Sequence, residues 1–321
     1  MGKYILKRLL LMIPVVLFVA ILIFTIMEFV PGDPAQIILG STATENDVLA
    51  LREELGLNRP YPVRLGEFLY NTFIKFDFGT SYMTGMPVTQ EIMARLPRTL
   101  ILGLLAIAVA LGVGIPLGVI AAVHQNGVGD QISMIIALLG VSIPNFWLAL
   151  LLVMLFALKL GWLPPGGIEG WESYVLPCMS MCVGGIAMQA RQSRSSMLEV
   201  IRADYVVTAR AKGLSNREVV LRHALPNALN PIITLAGSNL AIIFGGSVVI
   251  ENVFSFPGIG QYMVTAINQR DYPIVMGCVV LLAVVFSVVM LLVDLAYGFV
   301  DPRIRARYSS GKKRRTSDEE K

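Results

Sequence analysis

The sequence predicts an all-α membrane protein with six transmembrane helices. Of its 321 residues, 55% are hydrophobic and only 15% are charged, whereas soluble domains carry about 25% charged residues. The apolar residues form blocks of about twenty or more, the length that a helix needs to cross roughly 30 Å of hydrocarbon. Buried strands of a soluble α/β protein would end such runs after about four to eight residues.

Six apolar blocks predict the membrane spans. The first block follows Lys3, Lys7 and Arg8, so it resembles the start of a secretory signal peptide. Because it is far longer than a signal core of about 7–15 residues, we interpret it as a retained helix. The predicted spans are residues 9–30, 97–123, 131–160, 175–197, 226–250 and 273–300.

The distribution of basic residues predicts the orientation of the chain. The N-terminal segment, the loop 191–222 and the segment after Asp301 together hold 18 of the 26 lysines and arginines. Cytoplasmic segments of membrane proteins carry this excess of positive charge. We therefore expect both termini in the cytoplasm, with residues 302–321 forming a disordered tail, since they are charged and poor in apolar residues.

Residues 1–94 are predicted to contain the first span and a small helical ledge outside the cytoplasm. Within the ledge, residues 41–56 and 65–76 have the spacing of amphipathic helices, and the Pro60–Tyr61–Pro62 segment separates them. The other five spans, with the cytoplasmic loop 191–226, form a second predicted domain of residues 95–301.

The outer loop 251–271 is unusually apolar for a connection. Its proline and glycines require turns, after which residues 261–268 have the pattern of a short amphipathic helix. One interpretation is a helix resting in the lipid headgroups. The other is a re-entrant element that approaches the transport pathway and meets an external partner, through Phe254, Phe256, Pro257 and Gly258.

The chain contains no visible energy-converting site. It has no G-x-x-x-x-G-K-[ST] phosphate loop, so we expect no nucleotide hydrolysis by this polypeptide and no ATP or Mg²⁺ bound to it. Ion-coupled carriers keep ionisable groups deep in their helices, whereas Glu28, Lys159 and Asp294 lie near predicted span ends. No G-x-S-x-G elbow accompanies the two histidines, so hydrolase chemistry is not indicated.

Nucleic-acid and metal binding are also disfavoured. The net charge is +4, but the positive residues flank apolar blocks as in the inner face of a membrane protein. Cys178 and Cys182 share a helix face without a nearby histidine or carboxylate, so we interpret them as core residues and expect no metal site.

The cytoplasmic loop 191–226 has the layout of a compact docking element. A helix from Asp204, which we expect to act as its N-cap, is followed by Gly213 at a C-terminal position. Ser215 and Glu218 have the spacing of a capping box that opens a second helix, and Pro226 marks the next span. This pattern favours docking into a partner's groove; an ordinary amphipathic helix at the membrane surface is the alternative.

The same loop resembles the EAA-x3-G-x9-I-x-L-P loop of bacterial ABC-importer permeases. It departs from that motif at Val207, Thr208 and His223, so we expect no acidic coupling contact at position 207. The retained residues are Ala209, Gly213, Leu225 and Pro226.

Further motifs resemble the peptide-transporting branch of that family, in particular the first of its two permease subunits. They extend over nearly the whole chain: Pro31–Ala35, Arg194–Val200, Asp204–Tyr205, Phe254–Gly260, Arg270–Pro273 and Asp301–Arg305.

The resemblance implies a type I ABC importer permease fold in the bacterial cytoplasmic (inner) membrane. It implies a homologous second permease, two ATP-binding subunits that hold the ATP and Mg²⁺, and an extracytoplasmic substrate-binding protein as partners, with no nucleic acid. The ATPases would drive alternating access through contacts with the loop. Those contacts are assigned to Tyr205, Thr208, Ala209, Lys212, Gly213, Leu225 and Pro226.

The cargo and the pathway are less well defined by the sequence. The resemblance implies di- and oligopeptides, with glutathione and nickel as alternatives on the same scaffold. A gradient-driven carrier and a structural or signalling subunit remain alternatives of other classes. The candidates for the pathway lie in two spans. Ser142, Pro144 and Asn145 interrupt the third span. Ser238 and Asn239 belong to a small, polar face of the fifth span, which close helix packing also explains.

Overall fold

A computed structural model describes residues 2–40 and 43–300 of the chain. Over these residues the secondary structure is helical, apart from one isolated bridge between Thr80 and Pro87. The predicted tail 302–321 lies outside the described residues.

The helices are long where the sequence is apolar and short elsewhere. They are α1 (Gly2–Phe29), α2 (Pro34–Leu39), α3 (Glu45–Glu54), α4 (Tyr61–Tyr70), α5 (Val88–Val123), α6 (Val128–Ser142), α7 (Asn145–Leu152), α8 (Val175–Ile201), α9 (Asp204–Ala211), α10 (Asn216–Glu218), α11 (Leu225–Val253), α12 (Ile259–Gln269) and α13 (Tyr272–Val300). π-helical segments cover Asn71–Lys75, Val153–Lys159 and Val219–Ala224, and a 3₁₀ turn covers Trp171–Tyr174.

The chain forms two compact units. Residues 6–99 and 257–288 form one, the ledge unit; residues 100–256 form the main part of the other, the core unit. The α5 and α13 helices each contribute to both units.

Within the described residues, five helices are long and apolar enough to cross a membrane, and there are six spans if a bent pair of helices is counted as one. The bent pair corresponds to the predicted third span 131–160, in which the sequence predicts an interruption at Ser142–Asn145: α6 and the helix that starts at Asn145 meet at 100°. The break lies at Ile143, which is extended (φ −85°, ψ 121°). Pro144 explains this conformation, because proline disfavours a helical residue before it and supplies no N–H.

The ledge helices begin and end at positions set by their caps. The α3 helix begins at Glu45, later than predicted, because Thr44 and Asp47 form a capping box there. The α4 helix begins at Tyr61, earlier than the predicted position 65. Pro62 does not separate the helices as expected, since proline is tolerated in a first helical turn.

In the core unit, α5 and α8 approach each other through glycines. A Cβ at Gly114 would lie 2.8 Å from the Ile186 carbonyl oxygen, and one at Gly118 would lie 2.6 Å from the Ser193 Cβ. The two glycines form a G-x-x-x-G pattern, which allows membrane helices to pack closely.

Candidate functional site

The predicted docking loop adopts the expected layout with one correction. Gly213 has φ +80° after the end of α9, and Ser215 and Glu218 form the predicted capping box. Asp204, however, is not the N-cap of α9: that position is Ala203 (φ −73°, ψ 146°), and no side chain caps the helix. Asp204 is the first helical residue, where a carboxylate stabilises the positive end of the helix dipole.

The α9 helix has one buried and one exposed face. Val206 and Ala209 are buried in a cluster that includes Met197 of α8 and Ile232 of α11. Ala209 therefore contributes packing inside the core unit and presents little side-chain surface to a partner. Leu225 is half-buried against the same cluster. The exposed residues of the predicted set are Tyr205, Thr208, Lys212, Gly213 and Pro226.

The docking loop is joined to α11 without a flexible linker. From Asn216 to Val253 the chain is one continuous helix that includes a π-helical segment. His223, a departure from the family motif, lies in that segment half-buried, and its carbonyl accepts a hydrogen bond from the Asn227 side chain at 2.8 Å. The α10 end of the loop therefore belongs to the same helix as α11.

A buried ion pair fixes the neighbouring α5–α6 turn. Arg194 donates to both carboxylate oxygens of Asp130 at 2.5 and 2.6 Å, and the Asn126 N–H donates to one of them at 3.0 Å. Arg202 additionally donates to the Gln125 side chain at 3.1 Å. Sequence analysis missed this pair; its only local signal was an aspartate in the first turn of a predicted span.

The break between α6 and α7 adjoins a cavity of about 160 Å³ between α6, α7, α8 and α11. Of the predicted pathway residues, Asn145 and Asn239 line it. Ser142 and Ser238 are exposed and donate to carbonyls of their own helices, at 2.8 and 3.4 Å. Neither serine nor Pro144 lines the cavity.

The two cavity asparagines differ in environment. Asn239 is only 2% exposed, and its Nδ2 has no hydrogen-bond partner among the described residues. Asn145 is half-buried, and a Cβ at Gly184 would lie 3.8 Å from its Oδ1. We name this space, with its two amide side chains, the asparagine cavity.

The predicted outer loop begins later than expected, since α11 continues to Val253. Phe254 and Phe256 are fully buried in the core unit. The Phe256 ring makes an edge contact with Tyr174 at 5.0 Å, and the Phe254 carbonyl accepts from the Gly167 N–H at 2.9 Å. These two aromatic side chains are thus internal packing residues and not headgroup anchors.

The second half of that loop belongs to the ledge unit. The Pro257 carbonyl accepts from Arg98 at 3.2 Å, and Gly258 is the N-cap of α12. The α12 helix starts at Ile259, two residues earlier than predicted. Its role as an interfacial or a re-entrant element stays a prediction.

The ledge unit contains a charged groove of about 620 Å³. Arg52 pairs with Asp33 at 2.9 Å, and Arg64 pairs with Glu28 in its lining. The α1 and α4 helices are thereby joined by an ion pair, and α3 is joined to the N-cap of α2.

A buried aspartate organises the turn before α5. Asp271 is fully buried and accepts from the Ser81 hydroxyl at 2.5 Å and the Met83 N–H at 3.2 Å. Burial, together with the nearby Asp271 carboxylate, raises the pKa of Tyr82 to about 12. The hydrogen bond between Ser81 and Asp271 joins two segments that are far apart in the sequence.

Two family models match most of the chain. Residues 114–306 match the family described as binding-protein-dependent transport system inner membrane component. Residues 1–103 match the N-terminal family of the same membrane components.

Curated relatives cover nearly the full length. A peptide transport system permease protein of Brucella abortus (strain 2308) is 45% identical over 313 residues, covering 95% of this chain and 99% of the relative. A glutathione transport system permease protein of Salmonella choleraesuis is 39% identical over 305 residues, with the same shares covered.

Among solved structures, the chain is similar to one from an inward-facing form of the MetNI methionine ABC transporter, with a TM-score of 0.57 and 20% identity. The similarity covers 66% of this chain and 97% of that one, and it supports the importer permease fold. Membership of the family implies an ATPase and a substrate-binding protein as partners, with ATP hydrolysis on the separate ATPase subunits. The chain therefore belongs to the inner membrane components of binding-protein-dependent transport systems and is a multi-pass permease subunit of an ATP-driven bacterial importer.

Proposed function

We propose that this chain conducts di- and oligopeptides across the cytoplasmic membrane. The 45% identity with a peptide transport permease over almost the whole chain supports this cargo. Glutathione is the second candidate, supported by the 39% identity with a glutathione permease. Glutathione is itself a tripeptide, so the two candidates share amide chemistry and differ in charge and linkage.

We further propose that the exposed face of α9 is the contact with the ATPase. One observation carries this proposal: the buried face of α9 packs on α8 and α11, while Tyr205, Thr208 and Lys212 remain exposed. Because Val206 and Ala209 of α9 pack in one cluster with Ile232 of α11, a displacement of α9 would move α11. Such coupling requires that the partner binds the two states of the permease with different affinity.

The proposed assembly pairs this chain with a homologous second permease and two ATPase subunits. The binding protein would release cargo on the extracytoplasmic side, where we expect the short helices α2, α3 and α4. The excess of basic residues in the loop 191–222 and in both terminal segments supports this orientation, with both termini in the cytoplasm.

Reconstitution of the complete complex in proteoliposomes tests the proposed function. We expect uptake of a labelled trialanine that requires both ATP on the ATPase side and the loaded binding protein. Excess unlabelled glutathione distinguishes the two candidates, since a glutathione permease would lose trialanine uptake to it. Uptake by this chain alone, driven by an imposed proton gradient, would contradict the proposal and favour a secondary carrier.

A further inference from the structure

We propose that Asn145 and Asn239 form a subsite that binds a main-chain peptide group of the cargo during translocation. The inference rests on the proposed peptide function and extends it to a specific place and chemistry. It identifies the asparagine cavity as a site that recognises what all peptides share, independently of their side chains.

The break in the third span exposes backbone at the cavity. In a continuous helix the Gly140 carbonyl would accept from the N–H of residue 144, but Pro144 has none. Gly140 itself lines the cavity. Irregular backbone at membrane depth is tolerated where it lines a cavity, and interrupted helices are typical of transporter binding sites.

Asn239 carries an unsatisfied donor into this space. The residue is almost fully buried, and Nδ2 finds no acceptor within the described part of the chain. A buried donor without a partner is destabilising, because it has lost its hydrogen bond to water. A transient acceptor, such as the carbonyl of a passing peptide, would offset this cost.

Amide side chains match a peptide group in both directions. Each asparagine offers an N–H₂ donor and a carbonyl acceptor, so Asn145 and Asn239 together complement one C=O and one N–H of a main chain. The lining contains no charged side chain, so it offers no ion pair to a free terminus. The site therefore favours a neutral amide over a charged end of the cargo.

The size of the cavity defines how much of the cargo it accepts. Its volume of about 160 Å³ is below the roughly 300–1,000 Å³ of pockets that enclose a whole small ligand. It suits one peptide unit with a small substituent. Gly184, Gly185 and Gly246 keep the walls free of side chains beside the asparagines.

Two labelled tripeptides test the inference in the reconstituted complex. They are trialanine and an analogue N-methylated at both peptide bonds, each presented on saturating loaded binding protein. We expect wild-type complex to import trialanine faster. In Asn239→Ala we expect uptake of both peptides to fall about tenfold, as expected for loss of a hydrogen-bonded contact, because both peptides keep the carbonyl to which the Asn239 amide would donate. The difference between the peptides should remain, because it reports the N–H that the Asn145 oxygen would accept.

Ser238→Ala is the matched control. Ser238 is the adjacent residue on α11, is exposed, and donates to the Thr234 carbonyl of its own helix. This variant should retain wild-type uptake and discrimination. Asn145→Ala should lower trialanine uptake to that of the N-methylated peptide, because it removes the acceptor for the peptide N–H.

Several outcomes would overturn the subsite. Import of both peptides at equal rates by the wild-type complex would refute the subsite and leave the proposed peptide function intact. Undiminished discrimination in Asn145→Ala, or wild-type uptake in a well-assembled Asn239→Ala complex, would also overturn the subsite. Poor assembly of Asn239→Ala, with normal discrimination in Asn145→Ala, would assign Asn239 to a contact between subunits. Failure of wild type to import any peptide would refute the proposed function itself.

Discussion

The core unit and the ledge unit are held together by different interactions. In the core unit, α5 crosses α8 through Gly114 and Gly118, where backbone and Cβ atoms leave no room for a side chain. In the ledge unit, the Asp33–Arg52 ion pair connects the N-cap of α2 to α3, and the Arg59–Glu67 pair connects the loop before α4 to that helix.

The difference follows from the solvent. Lipid tails are as apolar as leucine, so membrane helices gain little from burying large apolar residues and depend on close packing of small ones. Outside the hydrocarbon, short amphipathic helices such as α2, α3 and α4 bury little apolar area, and charged side chains remain hydrated while they pair. The α5–α8 crossing should therefore be sensitive to added volume, and the polar turns of both units to lost charges or acceptors.

The largest effect is expected from Gly118→Val. The added side chain meets the Arg194 backbone nitrogen at 2.9 Å and the Ser193 Cβ at 2.6 Å, so neither helix can yield by a rotamer change. We expect a loss above the roughly 1–3 kcal/mol typical of overpacking, seen as little folded protein in detergent and a lower Tm. Gly112→Ala on the same helix has nothing within 4 Å of its Cβ and should leave Tm unchanged or raised; equal behaviour of the two variants would contradict this account.

Asp130→Asn should have the second largest effect. It removes the charge that faces Arg194, whose side chain is 24% exposed. We expect a loss of roughly 2–3 kcal/mol, below the 3–5 for a fully buried pair because water still screens Arg194. Thermal unfolding of the purified complex measures it.

The exposed Glu218–Arg222 pair provides the control for that variant. Its atoms are 3.7 Å apart and Arg222 is largely exposed, so Arg222→Gln should cost below about 0.5 kcal/mol. A cost for Asp130→Asn as small as this would show that the α5–α6 turn does not depend on the pair.

In the ledge unit, Asp271→Ala should cost about 2 kcal/mol, because the Ser81 hydroxyl and the Met83 N–H lose their acceptor. Hydrogen exchange of residues 79–88 should accelerate in the variant. The exposed Asp77, which accepts only from the Gly79 N–H, is the control: Asp77→Ala should cost about half as much. Equal hydrogen exchange of residues 79–88 in the two variants would show that the buried Asp271 carboxylate does not stabilise this turn.

The smallest effect is expected from Gly213→Ala. No atom lies within 4 Å of the added Cβ, so the change acts only through φ +80°. The left-handed conformation costs an alanine about 1 kcal/mol. Gly245→Ala, in helical conformation and equally open, should instead stabilise slightly; a destabilisation shared by both would point to a cause other than φ.

Local patterns in the sequence predicted local structure well. The long apolar runs identified the membrane helices, and the capping box at Ser215 and the turn at Gly213 lie where expected. Each of these features depends on residues within one or two turns of each other. The identity of the family was also accessible, because its motifs extend along the whole chain.

The tertiary features were not predictable in the same way. Asp130 pairs with a residue 64 positions away. Asn145 and Asn239 line the same cavity only because a bent span packs beside α11. Likewise, Ala209 was predicted to contact the ATPase, whereas its side chain is buried in the core unit. A single sequence does not indicate which residues that are distant in the chain come into contact.

The central claim is that the exposed face of α9 transmits the ATPase cycle to the permease. The most direct measurement is peptide uptake, together with ATP hydrolysis stimulated by the loaded binding protein, in the complex carrying both Tyr205→Ala and Lys212→Glu. Because both side chains are exposed, the fold should persist, and we predict that uptake and stimulation are lost. The control Arg217→Gln, an exposed residue of α10, should behave as wild type. Wild-type uptake and stimulation in the double variant would contradict the claim.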